Sequence, residues 1–179
     1  DDFLGDTLDT NSWLLTQSGT PTAGAISATA GDPVAGHGGW LAGATDDVDA
    51  EADELAMDAT GTAGQFRADR AGNGMMVCEW AISIPTALTT RQYFAGFSDD
   101  ATEGSGAIAI NVTGTTVADA ATDAAGIGFY SAATDATHFL GVSTDGGTQS
   151  TITACSTLAF DTWYKLRTEI NSAGDVFYY

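Results

Sequence analysis

An acidic run in the first third of the chain holds the residues whose types and spacing come nearest to a ligand-binding site. Between Asp46 and Asp53, carboxylates recur at alternate positions, and Ca²⁺ prefers carboxylate oxygens as ligands. An EF-hand-like loop in this run would need Gly at its sixth position, where Ala52 stands. We therefore expect no bound cofactor, with calcium as the alternative. The weak candidate metal ligands are Asp47, Asp49, Glu51 and Asp53.

The same run contains the carboxylates nearest to those of a glycoside hydrolase. Such enzymes use a pair of carboxylates as acid and nucleophile. Glu51 and Asp53 would share one face of a strand, but Leu55 and Ala56 stand where a third carboxylate of the pattern is needed. A solvated acidic loop is therefore the preferred interpretation, and hydrolysis is a remote alternative.

The two histidines and two cysteines do not complete a reactive set. His37 lies among glycines in an arrangement that echoes an esterase oxyanion loop, yet the chain contains no Gly-x-Ser-x-Gly elbow. His138 opens a predicted strand and has no evident partner. Cys78 lies in an apolar run, which predicts a buried free thiol, and the wide spacing of the four residues argues against structural zinc. The sequence predicts no catalytic residue and a protein that is not an enzyme.

The aromatic residues admit two interpretations. Exposed rings form platforms on which sugars stack, whereas the rings of a β-sandwich mostly fill its core. We favour the core for the set as a whole and keep a sugar platform as the alternative. The residues concerned are Trp13, Trp40, Trp80, Trp163, Tyr93, Tyr130, Tyr164 and Tyr178.

The strongly acidic charge balance limits the classes of partner. The 179 residues include 24 Asp and Glu against five Lys and Arg, which gives a net charge of −19. This excess repels the phosphates of nucleic acid and the surface of anionic membranes, so we expect neither as a partner. The rare cations Arg67, Arg70 and Arg91 are expected to pair with carboxylates inside the domain or across a subunit contact.

Short stretches of alternating hydrophobicity are the elements that must position these side chains. In Met75–Ile84 every second residue from Met76 is apolar, and in Trp163–Ile170 three charged residues alternate with apolar ones. A period of two with one apolar face is typical of a half-buried strand. Further strands are predicted at Gln92–Phe97, Ile108–Val112, Gly126–Tyr130, His138–Val142, Thr148–Thr153 and Val176–Tyr179.

Turn residues separate these segments. Asp145-Gly146-Gly147 is a good hairpin turn, and the Ala-rich segment 117–125 is predicted to be a loop. About ten short strands with no helical periodicity predict an all-β protein, built as an antiparallel sandwich or barrel.

Several of these segments resemble known domains. Asp1–Trp13 and the hairpin formed by 162–170 and 174–178 resemble concanavalin A-like domains, including family-16 glucanases. The segments Gly74–Ile82, Phe94–Asp99 and Ala124–Tyr130 resemble laminin-G-like proteins found among the structural genes of tailed phages.

The resemblance implies both a fold and a role. The fold is an antiparallel β-sandwich of the concanavalin A-like jelly-roll type, with residues 1–179 as one domain that stops before its last strands. The role is that of an extracellular, virion-surface structural protein, such as a capsid decoration or cement protein, a head fibre or a tail-associated domain. Its expected partners are other virion proteins such as the major capsid protein, further copies of itself, and cell-surface glycans. A lectin-like, carbohydrate-binding module is the alternative, and a family-16-like glycoside hydrolase is the remote one.

Overall fold

A computed structural model of the 179-residue chain describes residues 14–18, 52–56, 74–84, 92–99, 109–119, 121–150 and 152–179. These residues form β-strands without a helix, and every pair of strands is antiparallel. The predicted all-β, antiparallel class is thereby confirmed. None of the described residues belongs to a helix capable of crossing a membrane. The strands are β1 Leu14–Ser18, β2 Ala52–Ala56, β3 Met76–Ser83, β4 Gln92–Ser98, β5 Ile110–Thr113, β6 Thr116–Asp119, β7 Ala124–Tyr130, β8 His138–Asp145, β9 Thr148–Gln149, β10 Thr153–Thr157, β11 Trp163–Ile170 and β12 Val176–Tyr178.

The chain divides into two compact units. The described part of the first unit is one antiparallel pair, in which β1 runs beside β2 with Leu14 opposite Ala56 and Ser18 opposite Ala52. The second unit contains β3 to β12 and holds the described core. The assignment of residues 1–179 to a single domain stays a prediction.

The larger sheet of the second unit has five strands. Its order is β10-β8-β7-β4, and the short β9 pairs with β8. The predicted Asp145-Gly146-Gly147 turn joins β8 to β9, and Gly146 and Gly147 have φ angles of 57° and 75°. A positive φ is readily available only to residues such as glycine, so the turn depends on this composition.

A second, three-stranded sheet has the order β12-β11-β3. The pairing of β11 with β3 runs from Trp163 opposite Ser83 to Ile170 opposite Met76. Leu166 and Thr168 are buried, and their neighbour Lys165 is exposed. The alternation predicted for this segment is confirmed.

The two sheets face each other across one hydrophobic core. Ile127, Phe129 and Phe139 of the larger sheet pack with Leu166 of the smaller one, and the partly buried Tyr164 joins them. The rings of Phe139 and Tyr164 meet edge to face, with centroids 5.1 Å apart. Aromatic and aliphatic burial of this kind is the main force that holds two sheets together.

The opposite face of the larger sheet has its own core. The hairpin of β5 and β6 contributes Ile110, Val112 and Val117, which pack in one cluster with Tyr130 and Leu140 of the sheet. All seven residues of β7 are buried, since this strand is covered on both faces.

Two of the predicted strand boundaries are wrong. Within the segment predicted to be a loop, 117–125, the chain forms β6 because Val117 pairs with Val112 and is buried in the core. The strand predicted over Thr148–Thr153 is interrupted instead. Thr153 comes four positions after Gln149, whereas their partners on β8, Gly141 and Thr144, are three positions apart, and one extra residue breaks a ladder.

The packing between the sheets should show itself in the coupling of Gly141 and Tyr178. A Cβ placed on Gly141 would lie 2.4 Å from Cδ2 of the Tyr178 ring, far inside van der Waals contact. We expect Gly141→Ala to lower the free energy of unfolding by about 1–3 kcal/mol through overpacking. In a Tyr178→Ala background the same change should cost clearly less. Urea denaturation of both single variants and the double variant measures the coupling, and strictly additive costs would contradict the contact.

Candidate functional site

The exposed surface of the three-stranded sheet is the strongest candidate for a functional site. We call it the outer face. It consists of the side chains that alternate with the core-facing ones on β3, β11 and β12 and at their ends. Its members are Met75, Val77, Glu79, Trp163, Lys165, Arg167, Glu169, Phe177 and Tyr179.

Four charged residues form a connected network at the centre of the outer face. Lys165 Nζ lies 2.8 Å from Glu79 Oε1, and Arg167 Nη1 lies 3.7 Å from Glu79 Oε2. Arg167 also forms an ion pair with Glu169 on its own strand. Two positive and two negative charges therefore cancel on this face, although the chain as a whole carries −19.

The network favours the charged form of Glu79. The hydrogen bond from Lys165, followed by the positive charges of Lys165 and Arg167, keeps the pKa of Glu79 below its ordinary value of 4.5. The Lys165–Glu79 pair is exposed, and exposed ion pairs contribute little to folding stability. Their consequence here is positional, because they fix an alternating pattern of charge on a rigid sheet.

Apolar side chains border this network. Met75, Phe177 and Tyr179 are 56%, 43% and 62% exposed. Val77 and Phe177 lie on either side of Glu169, one on each neighbouring strand. Exposed apolar groups around paired charges, with aromatic residues, Met and Arg among them, are typical of a protein-binding surface.

A second cluster lies where β8 begins and β10 ends. His138 Nδ1 lies 2.6 Å from Asp135 Oδ1, and His138 Nε2 lies 3.1 Å from Thr157 Oγ1. Thr137 donates a further hydrogen bond to Asp135. Because an ionised carboxylate only accepts, the ring donates from Nδ1, and in the neutral ring Nε2 accepts a hydrogen bond from the Thr157 hydroxyl. The expectation that His138 lacks a partner is wrong, since the turn before β8 and the pairing with β10 supply two.

The order of hydroxyl, imidazole and carboxylate in this cluster matches that of a nucleophilic triad. A triad also needs free N–H donors for the oxyanion. The two N–H groups that follow Thr157 are engaged: that of Leu158 donates to the carbonyl of Thr137, and that of Ala159 donates to the Tyr164 hydroxyl. These hydrogen bonds join β8, β10 and the turn before β8. We call the cluster of Asp135, Thr137, His138 and Thr157 the clasp.

The carboxylates of a third region bind backbone. Asp99 Oδ1 accepts the N–H groups of Thr122 and Asp123, each at 3.1 Å, and Asp123 Oδ1 accepts that of Gly146 at 2.7 Å. These bonds tie neighbouring loops together. Within the part of the chain that the structure describes, no group of three or more His, Cys, Asp or Glu has the arrangement of a metal site.

Most of the residues singled out for metal or catalytic chemistry lie outside the described ranges. Asp53 lies on β2 opposite Gln17. The other three candidate metal ligands, Asp47, Asp49 and Glu51, lie outside the described residues. The same is true of His37, Trp13, Trp40, Arg67, Arg70 and Arg91. The calcium site stays a prediction.

The two thiols are free and partly buried. Burial raises the pKa of Cys78 to about 11 and also raises that of Cys155. A thiol is a nucleophile only as the thiolate, and burial disfavours that form of both residues. The predicted free thiol at Cys78 is confirmed, although the residue is half-buried.

Sequence reasoning found one row of the outer face. The alternation in β11 placed Lys165, Arg167 and Glu169 on one face of the strand. It did not identify Glu79 as their partner, because Glu79 lies on a strand far away in the chain. The polar residue in the exposed register of β3 was the available indication.

The clasp should make stability depend on pH through Asp135. Its hydrogen bond with His138 is the main cause that lowers the pKa of Asp135 below the ordinary 3.8. A lowered folded-state pKa adds stability above the unfolded value, and that stability is lost as the pH falls through the folded one. We expect Asp135→Asn to lower the Tm at pH 7, with the difference from wild type shrinking below about pH 4. Thr157→Val is the control, since its effect on the Tm should not vary below about pH 4. Calorimetry from pH 2 to 7 measures both variants, and a constant Tm difference for Asp135→Asn would contradict the prediction.

Comparison with known proteins finds no family model, no curated protein and no solved structure that matches the chain. The function must therefore be argued from the chemistry of the outer face and from the resemblance of the strands.

Proposed function

We propose that the chain is a non-enzymatic structural module of a virion surface, of the capsid decoration, cement or fibre type. The observation that carries the proposal is the outer face, where apolar side chains border a self-neutralised charge network. Such a surface favours protein contacts, and its charged groups are paired with one another.

The fold behind the proposal is a concanavalin A-like jelly roll. Two antiparallel sheets that enclose one core support a sandwich. The strands β3, β4 and β7 coincide with the segments that resemble laminin-G-like phage proteins. The order of all strands in such a jelly roll remains part of the proposal.

The electrostatics favour protein partners over nucleic acid. A net charge of −19 keeps the protein soluble and repels nucleic acid. Protein partners such as a major capsid protein, and further copies of the chain, fit the outer face better than a polyanion does.

The clasp supports a role without catalysis. His138 and Thr157 are oriented as in a triad, yet the neighbouring N–H groups of Leu158 and Ala159 donate within the fold. With these two N–H groups engaged, neither is available to stabilise the oxyanion of a tetrahedral intermediate at Thr157.

Carbohydrate binding is the second candidate, and one observation favours it. Trp163, Phe177 and Tyr179 are 38%, 43% and 62% exposed on a single sheet face, and exposed rings stack on sugars. This function is compatible with a virion-surface location, because surface proteins contact the glycans of cells.

The test is binding of the purified chain to emptied capsids of the virus that carries its gene. We expect saturable binding whose stoichiometry follows the symmetry of the capsid lattice. The control is Thr148→Lys with Gln149→Lys, two exposed changes on β9, away from the outer face, which should bind as wild type does. Absence of saturable binding, or release of sugar that Glu51→Gln abolishes, would overturn the proposal.

A glycan array distinguishes the second candidate. If the module binds carbohydrate, Phe177→Ala with Tyr179→Ala should weaken the signal about tenfold or more, because each stacked ring contributes on the order of 1 kcal/mol. Met75→Ala, which removes an exposed apolar group of the same face without a ring, is the matched control. Equal losses in both variants would argue against stacking.

A further inference from the structure

We propose that the outer face binds the outer face of a second copy of this chain, through a two-fold symmetric contact between their three-stranded sheets. This inference rests on the proposed function and names the partner of that site.

The first argument is the distribution of charge. Two of the five Lys and Arg residues, Lys165 and Arg167, lie on the outer face with Glu79 and Glu169. The face is neutral, so the whole net charge of −19 resides on the rest of the molecule. Two such molecules repel one another over most of their surfaces, and the outer face lets them approach without a net charge of like sign.

The second argument is that the charge pattern complements itself. In a two-fold contact, a residue i that meets residue j of the partner is matched by j meeting i. The basic row of Lys165 and Arg167 on β11 is opposite in charge to Glu79 and Glu169, which the other copy presents on the same face. Each charge already has a partner on its own sheet, so a further contact extends the network instead of burying a lone charge.

The third argument is the apolar border. Met75, Val77, Phe177 and Tyr179 supply exposed apolar area close to the ion pairs, and burying such area drives association. A basic partner would gain more from the acidic remainder of the chain than from this neutral face. A polyanion would be repelled by the net charge of −19. A second neutral, partly apolar sheet is the partner whose chemistry matches.

Charge-reversal variants and analytical ultracentrifugation test the contact. Variant N carries Lys165→Glu with Arg167→Glu, which makes the outer face wholly acidic. Variant P carries Glu79→Lys with Glu169→Lys, which makes it wholly basic. We expect the wild type to dimerise, each variant alone to associate at least about tenfold more weakly, and an equimolar mixture of N and P to form a heterodimer.

Two controls separate the contact from folding and from total charge. Circular dichroism and thermal melts establish that variants N and P keep the fold. Should either fail to fold, Phe177→Ser with Tyr179→Ser replaces it, because both side chains are exposed and their loss should weaken the dimer without disturbing the core. Thr148→Lys with Gln149→Lys makes the chain less acidic away from the outer face, and we expect it to retain the dimer.

The outcomes are separable from those of the capsid experiment. A wild type that stays monomeric up to about 1 mM, or a mixture of N and P that fails to associate, overturns the symmetric contact. A monomer that still saturates capsids overturns this inference and leaves the proposed function standing. A dimer that fails to bind capsids overturns the proposed function and leaves the symmetric contact standing.

Discussion

The burial of β7 on both of its faces is the constraint on which the described part of the second unit depends. Side chains on one face, such as Ile127 and Phe129, enter the core between the two sheets, and Tyr130 on the other enters the core beneath the β5–β6 hairpin. A strand covered on both faces has no solvent side, so it reads as a continuous run of small and apolar residues. The two cores share this strand. A one-residue change in its register would move each side chain of β7 from one core to the other.

The three-stranded sheet has a different position in this arrangement. One of its faces packs into the core through Leu166 and Thr168, while its other face carries the exposed Glu79 and Lys165 and the half-buried Arg167. Packing of the inner face therefore fixes the position of the sheet, and the residues of the outer face are not constrained by the core. A binding surface built on strands is more sharply positioned than one built on loops, because each side chain is fixed by the ladder beneath it.

The polar clusters divide between support and recognition. The clasp of Asp135, His138 and Thr157 joins backbone segments, and the carboxylates of Asp99 and Asp123 do the same for neighbouring loops. The side chains of both groups form hydrogen bonds with other parts of the same chain. The network of the outer face instead lies open to a partner, which is why the proposed function is placed there.

The sequence by itself determined the class of the fold and the faces of individual strands. Period-two alternation assigns the inward and outward residues of β3 and β11 locally, and the Asp145-Gly146-Gly147 turn follows from the φ angles that glycine permits. Which strands become neighbours was decided only in the tertiary structure. Glu79 meets Arg167, and His138 meets Thr157, through strand pairings between segments far apart in the chain, and no local pattern records such pairings. The same holds for β6, which lies partly in the Ala-rich segment predicted to be a loop, because Val117 is buried against Tyr130 and Leu140, which come later in the chain.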